Sequence, residues 1–161
     1  MFVDSDDYME INAVEKVVNA INDTSADIIC FGMSIINKQR KIIKYDFHEN
    51  GLLNKNEIEK QIYSFLICDV KGKRLGTSLC NKAIKANIAK SNIVDVNTII
   101  GEDSVCSIAC VYNANSIYFL NEYLYYYRYN SSSTSHTRKP FNLNNSKTLL
   151  NFLINQYLAV I

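Results

Sequence analysis

Apolar residues recur along this sequence with a spacing that predicts helices in some segments and strands in others. In the segment 12–23, NAVEKVVNAIND, they return at i, i+3, i+4 and i+7, the spacing of one helix face. The predicted buried stripe consists of Val14, Val17, Val18 and Ile21. Asn12 and Glu15, three residues apart, predict a capping box at the start of this helix.

Continuous apolar and aromatic runs predict the strands. These runs are ADIICFGMSII at 26–36, KIIKYDF at 41–47, SIYFL at 116–120 and YLYYYRYN at 123–130. Phe2 and Val3 are typical of the tail of a further buried strand. Three alternating tyrosines share one face of the last run, a pattern more typical of core positions than of sugar-binding surfaces. They are Tyr123, Tyr125 and Tyr127.

The remaining periodic segments predict helices. A polar start at Asn56 precedes apolar residues at helical spacing, and the segment 79–92 is expected to begin extended and end helical. In the segment 101–114 the predicted inner face consists of Val105, Ile108, Ala109 and Tyr112. A last helix is predicted from about 142 towards 161. The alternation of helices and strands predicts one α/β unit.

Composition and charge narrow the class of protein. Hydrophobic residues form 48% and charged residues 20% of the 161 positions, which is typical of a folded domain. The 17 basic and 16 acidic residues give a net charge of +1, and the lysines are scattered. Nucleic-acid binding is therefore not expected. We find no signal-peptide pattern and no apolar segment suited to span a bilayer.

The cysteines indicate a reducing environment. There are five, none of them in a CxxC pair, and three lie in apolar runs. Free thiols are therefore expected. His48 and His136 do not have the spacing of zinc-finger ligands, so a structural zinc site is not expected.

The first candidate site is the acidic stretch FVDSDD at 2–7. Asp4 and Asp6 are two positions apart and would point the same way if strand geometry continued through them. Carboxylates at the carboxyl end of a strand lie where open α/β sheets bind ligands, and two such oxygens suit Mg²⁺ or Mn²⁺ on a diphosphate. The alternative is that this stretch forms a turn and caps the next helix.

The second candidate site is GED at 101–103. Glu102 and Asp103 begin a predicted helix, where the helix dipole stabilises an ionised carboxylate. Such a carboxylate can accept a proton from a hydroxyl group. The alternative is again helix capping.

Taken together and in order, these segments resemble a family 2 glycosyltransferase of the GT-A type. FVDSDDYMEINAVEKVVNAINDTSADIICFG at 2–32 resembles the middle of such a catalytic domain. GTSLCNKAIKANIAKSNI at 76–93 resembles its W-N-K-L-Y-R segment, and the stretch 99–135 resembles its G-E-D helix, strand pair and closing Y-x-Y-R with a Ser-rich loop.

The resemblance implies a partial GT-A (Rossmann-like) fold, an α/β fold with a mixed sheet flanked by helices. It covers nearly the whole chain to about residue 135. Residues 1–140 would form a partial catalytic domain, and residues 141–161 a C-terminal helix that begins a further extension.

The implied activity is transfer of a sugar from a nucleotide donor to an acceptor hydroxyl, with inversion. By position, Asp4 would contact the ribose or the metal, and Asp6 would bind Mn²⁺ or Mg²⁺. Asp103 would be the general base, and Glu102 would help to hold the helix start. These assignments come from the resemblance.

Other assignments from the resemblance concern the rim of the site. Arg128 or His136 would reach the diphosphate, although Arg128 could instead pair with a carboxylate. Asn81 and Lys82 match the acceptor-side segment. Leu79 and Cys80 stand where the family has an aromatic residue, which changes the expected acceptor contacts.

The resemblance also implies partners and a location. The donor would be a UDP-sugar, and the acceptor a glycan or lipid-linked molecule of bacterial surface polysaccharide. The protein would be cytoplasmic, at the inner face of the membrane through peripheral contact.

In this family a nucleotide-binding half precedes the D-S-D-D stretch, and here Met1 stands close to where that half would end. A parallel sheet without its first strands exposes an apolar edge. We therefore expect the isolated chain to be poorly stable, to self-associate through that edge, or to fold only with a partner that supplies the missing half.

Two alternatives remain. A phosphatase or mutase of the haloacid dehalogenase type also begins with a strand ending in D-x-D, whose first aspartate is a nucleophile. That family requires Thr or Val where this chain has Tyr8, and an acidic pair at a strand end. The other alternative is a non-catalytic remnant or interaction piece without a donor-binding half.

Overall fold

The computed structural model describes residues 1–36, 41–44, 51–66, 76–93 and 102–129, with helical residues at 147, 150, 151, 154 and 155. The strands are β1 (Tyr8–Met9), β2 (Ile28–Ile36), β3 (Lys41–Lys44), β4 (Gly51–Asn54), β5 (Lys82–Ile84) and β6 (Ser116–Arg128). The helices are α1 (Ala13–Thr24), α2 (Lys55–Gln61), α3 (Ala86–Ser91) and α4 (Glu102–Asn113), with a 3₁₀ turn at Tyr63–Phe65.

A six-stranded mixed sheet is built around two parallel central strands, β2 and β6. The other four strands are short and antiparallel to their neighbours. Strands β4 and β1 pair with the first and second halves of β6, and β5 and β3 do the same for β2. This sheet confirms the predicted α/β fold class with a mixed sheet flanked by helices.

Side chains of the two central strands alternate between two apolar cores, as the pleat requires. Ile28 and Ile117 face one core, which also holds residues of α2 and α4. Ile29 and Phe31 face the other, which holds the buried residues of α1. The two cores place α1 on one face of the sheet and α4 on the other.

The two short aromatic strands predicted at 116–120 and 123–130 are one continuous strand, β6. The polar pair Asn121–Glu122 interrupts the aromatic pattern, but a bulge in the pairing of β2 with β6 absorbs it. Gly32 lies at this irregularity, and a Cβ there would come within 2.6 Å of the Tyr123 ring. Glycine therefore allows the strands to stay paired through the bulge.

Helix α1 forms where predicted, but its predicted buried stripe is wrong. Val17 is buried, whereas Val14, Val18 and Ile21 are 62%, 45% and 38% exposed. The helix packs on the sheet through Ala13, Val17 and Ala20. The small alanines allow a close approach to the sheet, so the valine-rich face points away from it.

The predicted capping box is at the wrong helix. Asn12 makes no side-chain capping bond to α1. A capping box forms instead at α2, where the Asn54 side chain accepts from the Glu57 N–H at 3.1 Å and Glu57 accepts from the Asn54 N–H at 2.8 Å. Consequently α2 begins at Lys55, one residue before the predicted polar start.

Other predictions of local structure have mixed outcomes. Residues 1–4 are exposed and do not form the predicted strand tail, and the short strands β1 and β4 were not predicted. The extended-then-helical segment is confirmed as β5 and α3, and α4 confirms the helix at 101–114. The four described cysteines are free and buried, as expected. They are Cys30, Cys80, Cys106 and Cys110.

Among the residues that the structure describes, no helix is long and apolar enough to cross a membrane.

Candidate active site

The acidic stretch forms a turn rather than a strand end. The Asp7 N–H donates to the Asp4 carbonyl at 3.1 Å, closing residues 4–7. Asp4 and Asp6 are both exposed. Because strand geometry does not continue through them, the argument that Asp4 and Asp6 point the same way fails. The turn of the alternative interpretation is observed, but the stretch does not cap α1, whose N-cap residue is Asn12.

The turn is attached to the last third of β6. The Tyr125 hydroxyl accepts from the Asp4 N–H at 3.1 Å and donates to Asp7 Oδ2 at 2.8 Å. Asp7 Oδ1 accepts from the Arg128 N–H at 2.8 Å, and Arg128 Nε donates to the Asp6 carbonyl. The acidic turn is thus held by residues about 120 positions away in sequence.

Asp103 stands in the first turn of α4, exposed to solvent. Partial burial against the surrounding protein raises the pKa of Asp103, and the nearby charges of Glu102 and Asp4 raise it further. Lys82 acts in the opposite direction. The dipole argument predicted a strongly ionised carboxylate, but desolvation and like charges outweigh it. A raised pKa makes Asp103 a stronger base once it is ionised.

One cavity of about 430 Å³ brings the two candidate sites together. It is lined by Asp4 and Asp7 from the acidic turn, by Asp103 and Ser104 from α4, and by residues 77, 78 and 80 between them. Tyr125 and Tyr127 form part of its wall. Residues separated by about 100 positions therefore face the same space, which we call the acidic cavity.

A second cavity, of about 360 Å³, adjoins the acidic cavity at Asp103. Its wall is mainly apolar and includes Phe2, Leu79 and Ile93. Glu102 lines this second cavity, whereas Asp103 lines both. The two neighbouring acidic residues at the start of α4 therefore have different surroundings.

Asn81 and Lys82 directly follow a segment, residues 77–80, that contributes to the lining of the acidic cavity. Lys82 is fully buried, and its Nζ donates to the carbonyls of Gly76 and Ser78 at 2.6 and 2.8 Å. It also donates to Asn81 Oδ1 at 3.1 Å. Asn81 is 5% exposed. In this arrangement both residues hold the segment that lines the cavity, and their acceptor-side role stays a prediction.

The other predicted residues divide as follows. His136 lies outside the described residues. Asp6 is not among the residues that line the acidic cavity. Arg128 is exposed and contacts the acidic turn, so its role towards a diphosphate stays a prediction. The alternation of tyrosines predicts a core position for Tyr125, and the structure shows that this residue also lines the acidic cavity. That alternation is the sequence signal that singles out Tyr125.

The residues present limit how a metal ion could be held. Within the described ranges, no three His, Cys, Asp or Glu side chains lie close enough to hold one together. Asp4 lines the acidic cavity, while both oxygens of Asp7 already accept hydrogen bonds. A Mg²⁺ or Mn²⁺ ion at this site stays a prediction, in which Asp4 would be the protein residue that holds it.

Comparison with known proteins identifies the fold. No family model matches the sequence, and the curated proteins contain no significant match. The structure is similar to that of the S. aureus glycosyltransferase TarS 1-349 in complex with UDP-GlcNAc, with a TM-score of 0.69 and 19% identity. It is also similar to TarS 1-349 in complex with UDP, with a TM-score of 0.58 and 19% identity.

These matches include most of this chain but less than half of TarS. They cover 96% and 98% of the chain, and 42% and 46% of TarS 1-349. The chain therefore shares its partial Rossmann-like fold, a mixed sheet flanked by helices, with part of TarS. Glu102 and Asp103 begin a helix rather than ending a strand, unlike the arrangement expected for the haloacid dehalogenase type.

Proposed function

We propose that this chain is the acceptor-side part of a family 2, GT-A-type glycosyltransferase. It would transfer a sugar from a UDP-sugar to a hydroxyl group of a glycan or lipid-linked acceptor, with inversion, in bacterial surface polysaccharide synthesis. The observation that carries this proposal is the acidic cavity, which Asp4 and Asp103 both line. The binding of UDP-GlcNAc and UDP by TarS supports the choice of donor.

The proposed chemistry uses Asp103 as the general base. Its carboxylate accepts the proton of the acceptor hydroxyl while that oxygen forms a bond to the anomeric carbon of the donor. The bond from the anomeric carbon to the diphosphate breaks with its electron pair on the diphosphate. Attack opposite to the leaving group inverts the anomeric centre. The raised pKa of Asp103 suits this role, because the base must compete for a hydroxyl proton.

The acidic turn would lie on the donor side of the cavity. We assign Asp4 to the ribose or to a divalent cation, because Asp4 lines the cavity. A bound Mg²⁺ or Mn²⁺ ion would offset the charge that develops on the diphosphate. Asp6, Arg128 and His136 remain secondary assignments on this side.

Glu102 and the segment at Asn81 and Lys82 would serve the acceptor side. Glu102 lines the apolar cavity next to Asp103, and Lys82 holds the carbonyls of residues 76 and 78. Residues 1–140 would form the catalytic part, and 141–161 would begin an extension. A cytoplasmic location with peripheral membrane contact stays a prediction from the resemblance.

The test is calorimetric titration of UDP into the 161-residue chain, with and without Mn²⁺. Manganese-dependent binding that is lost in Asp4→Ala supports a donor site at the acidic turn. Asp6→Ala is the matched variant, because Asp6 belongs to the same turn but is not among the cavity-lining residues. Loss in Asp6→Ala with retention in Asp4→Ala would reverse the two assignments.

The same titration addresses the alternative of a non-catalytic remnant or interaction piece without a donor-binding half. Absence of UDP binding under both conditions would support a remnant or interaction piece. If UDP does bind, hydrolysis or transfer from UDP-GlcNAc should fall by about 10²- to 10⁴-fold in Asp103→Asn, the range typical of a lost general base.

A further inference from the structure

Tyr125 combines a buried ring with a hydroxyl that contacts the exposed acidic turn. The residue is 0% exposed and belongs to the core on the α1 side of the sheet. Its hydroxyl oxygen nevertheless accepts from the Asp4 N–H at 3.1 Å and donates to Asp7 Oδ2 at 2.8 Å. One rigidly packed side chain therefore contacts both ends of the turn.

Asp7 completes the attachment from the other side. Its second carboxylate oxygen accepts from the backbone N–H of Arg128 at 2.8 Å. Both oxygens of this carboxylate are therefore used within the protein, one by the core tyrosine and one by the strand backbone. A carboxylate with both oxygens engaged in this way is suited to anchor a turn and has less capacity left for a ligand.

Hydrogen bonds, rather than packing, determine the conformation of this turn. Asp4, Ser5 and Asp6 are exposed, so burial of their side chains adds little to its order. A hydrogen bond to a charged group is worth more than a neutral one, and the bond from Tyr125 to Asp7 is of this kind. Burial raises the pKa of Tyr125, so its hydroxyl stays protonated and keeps donating.

We propose that Tyr125 is a positioning residue of the candidate site, which holds the acidic turn through Asp7 so that Asp4 faces the acidic cavity. Two residues of D-S-D-D then have separate tasks. Asp4 is the residue directed towards a ligand, and Asp7 is the anchor. The ligand of Asp4 rests on the proposed function, whereas the anchoring itself does not.

The test compares Tyr125→Phe with Tyr126→Phe. Both variants keep an aromatic ring, lie side by side in β6 and lose one tyrosine-to-carboxylate hydrogen bond. The Tyr126 hydroxyl donates to Glu10 Oε2 at 2.6 Å, and Tyr126 is not among the residues that line the acidic cavity. The pair therefore separates loss of the anchor from the general cost of losing a tyrosine-to-carboxylate hydrogen bond.

The first readout needs no ligand. Amide hydrogen exchange is measured by NMR for Asp4 and for Arg128, with the amides of α1 as an internal reference. We expect about tenfold faster exchange at Asp4 in Tyr125→Phe, since its N–H loses its acceptor, with no change in α1. Tyr126→Phe should leave exchange at Asp4 unchanged. Equal exchange at Asp4 in wild type and Tyr125→Phe would overturn the proposal.

The second readout is the Mn²⁺-dependent affinity for UDP. Tyr125→Phe should weaken it about tenfold, because the turn then spends most of its time away from the competent arrangement. Unchanged affinity in Tyr125→Phe would mean that the anchor does not serve the ligand site. If wild type binds no UDP, the proposed function fails, and the exchange measurement alone decides whether Tyr125 holds the turn.

A second variant protects the test against a folding defect in the core. Asp7→Asn leaves Tyr125 in place but removes the charged acceptor of its hydroxyl. It should make exchange at Arg128 faster, because the Arg128 N–H then donates to a neutral rather than a charged acceptor. Both changes weaken the bond between Tyr125 and Asp7, so their effects on exchange at Arg128 should be less than additive in the double variant. Additive effects of Tyr125→Phe and Asp7→Asn would contradict a shared anchor.

Discussion

Helices α1 and α4 have the same length of 12 residues but opposite relations to the core. In α4 seven consecutive residues, Val105–Val111, are buried, so neighbouring structure surrounds the helix on every side. In α1 three residues are buried and the valine-rich face is exposed. Yet α1 has the clearer amphipathic sequence. The difference shows that a helical pattern predicts a helix better than it predicts which face is covered.

The polar contacts of the two helices differ in the same way. Lys55 of α2 donates to the carbonyls of Tyr112 and Ala114 at the end of α4, and to the Tyr63 hydroxyl at 2.8 Å. Helix α1 is joined to β6 by an ion pair between Lys16 and Glu122, whose side chains are 32% and 38% exposed. The helix that carries Asp103 is therefore held more firmly than the helix that follows the acidic turn.

The largest expected effect comes from matched isoleucine substitutions in the two helices. Ile108→Ala in α4 removes a side chain that is 6% exposed, and should lower the free energy of unfolding by about 3 kcal/mol. Ile21→Ala in α1, 38% exposed, should cost less than about 1 kcal/mol. Urea unfolding measures both, and similar costs would show that the exposed face of α1 is covered in solution.

The second expected effect is the loss of stability on replacing Lys55 or Lys16, the lysines that contact α4 and belong to α1. Lys55→Met removes a cation that hydrogen-bonds the end of α4, and we expect a loss of about 2 kcal/mol. Lys16→Met removes an exposed ion pair, and we expect a loss below about 1 kcal/mol. Thermal unfolding at two salt concentrations separates them further, because only the exposed pair should weaken strongly with salt. The reverse order of the two losses would contradict the comparison.

A third prediction concerns self-association, which was expected at an exposed sheet edge. Strand β6 is paired along its outer edge by β4 and β1, so the larger apolar exposure lies on α1. Val14→Gln with Val18→Gln should shift the chain towards monomer in sedimentation velocity. Because both side chains are exposed, each change should alter the free energy of unfolding by less than about 0.5 kcal/mol. A sedimentation profile unaffected by these changes would point away from α1.

The smallest expected effect is the pH dependence that Asp103 contributes. Its folded pKa is raised above the ordinary value of 3.8, so the folded chain binds more protons than the unfolded chain between these two values. This contribution to stability is present below the ordinary value and is lost as pH rises through the folded pKa. Asp103→Asn should therefore stabilise the chain slightly at neutral pH, with a difference from wild type that shrinks on acidification.

Asp27 provides a control, because its pKa is shifted in the direction opposite to that of Asp103. Burial raises the pKa of Asp27, but hydrogen bonds from Lys85 and from the Asn115 N–H, at 2.7 and 2.8 Å, outweigh it and lower the pKa below 3.8. Its stabilising contribution is present above that ordinary value and is lost as pH falls through the folded pKa. Asp27→Asn should therefore destabilise the chain at neutral pH. Urea unfolding between about pH 3 and pH 7 measures both variants.

Much of the secondary structure follows from local pattern. The apolar run at 26–36 predicts β2, and the polar start with helical spacing at 101–114 predicts α4, because each signal arises from residues next to one another in sequence. Local signals fail to predict an element where residues distant in sequence determine its conformation. The split predicted in β6 was wrong, since the bulge opposite Gly32 depends on a strand about 90 positions away.

The candidate site shows the same division. Asp4 and Asp103 are found from short motifs, because acidic residues after an apolar run or at a helix start are visible locally. The roles of Tyr125 and Asp7 are not, because their hydrogen bond joins positions 118 residues apart. Nothing near either residue in sequence indicates that bond.

The sequence by itself therefore determined the helices, the main strands and two of the acidic residues, since these depend on spacing and residue type over a few positions. The tertiary structure alone decided which face of α1 is covered, how the acidic turn is held, and that burial and like charges raise the pKa of Asp103. Packing, long-range hydrogen bonds and desolvation depend on neighbours in space, and the folded chain is what brings those neighbours together.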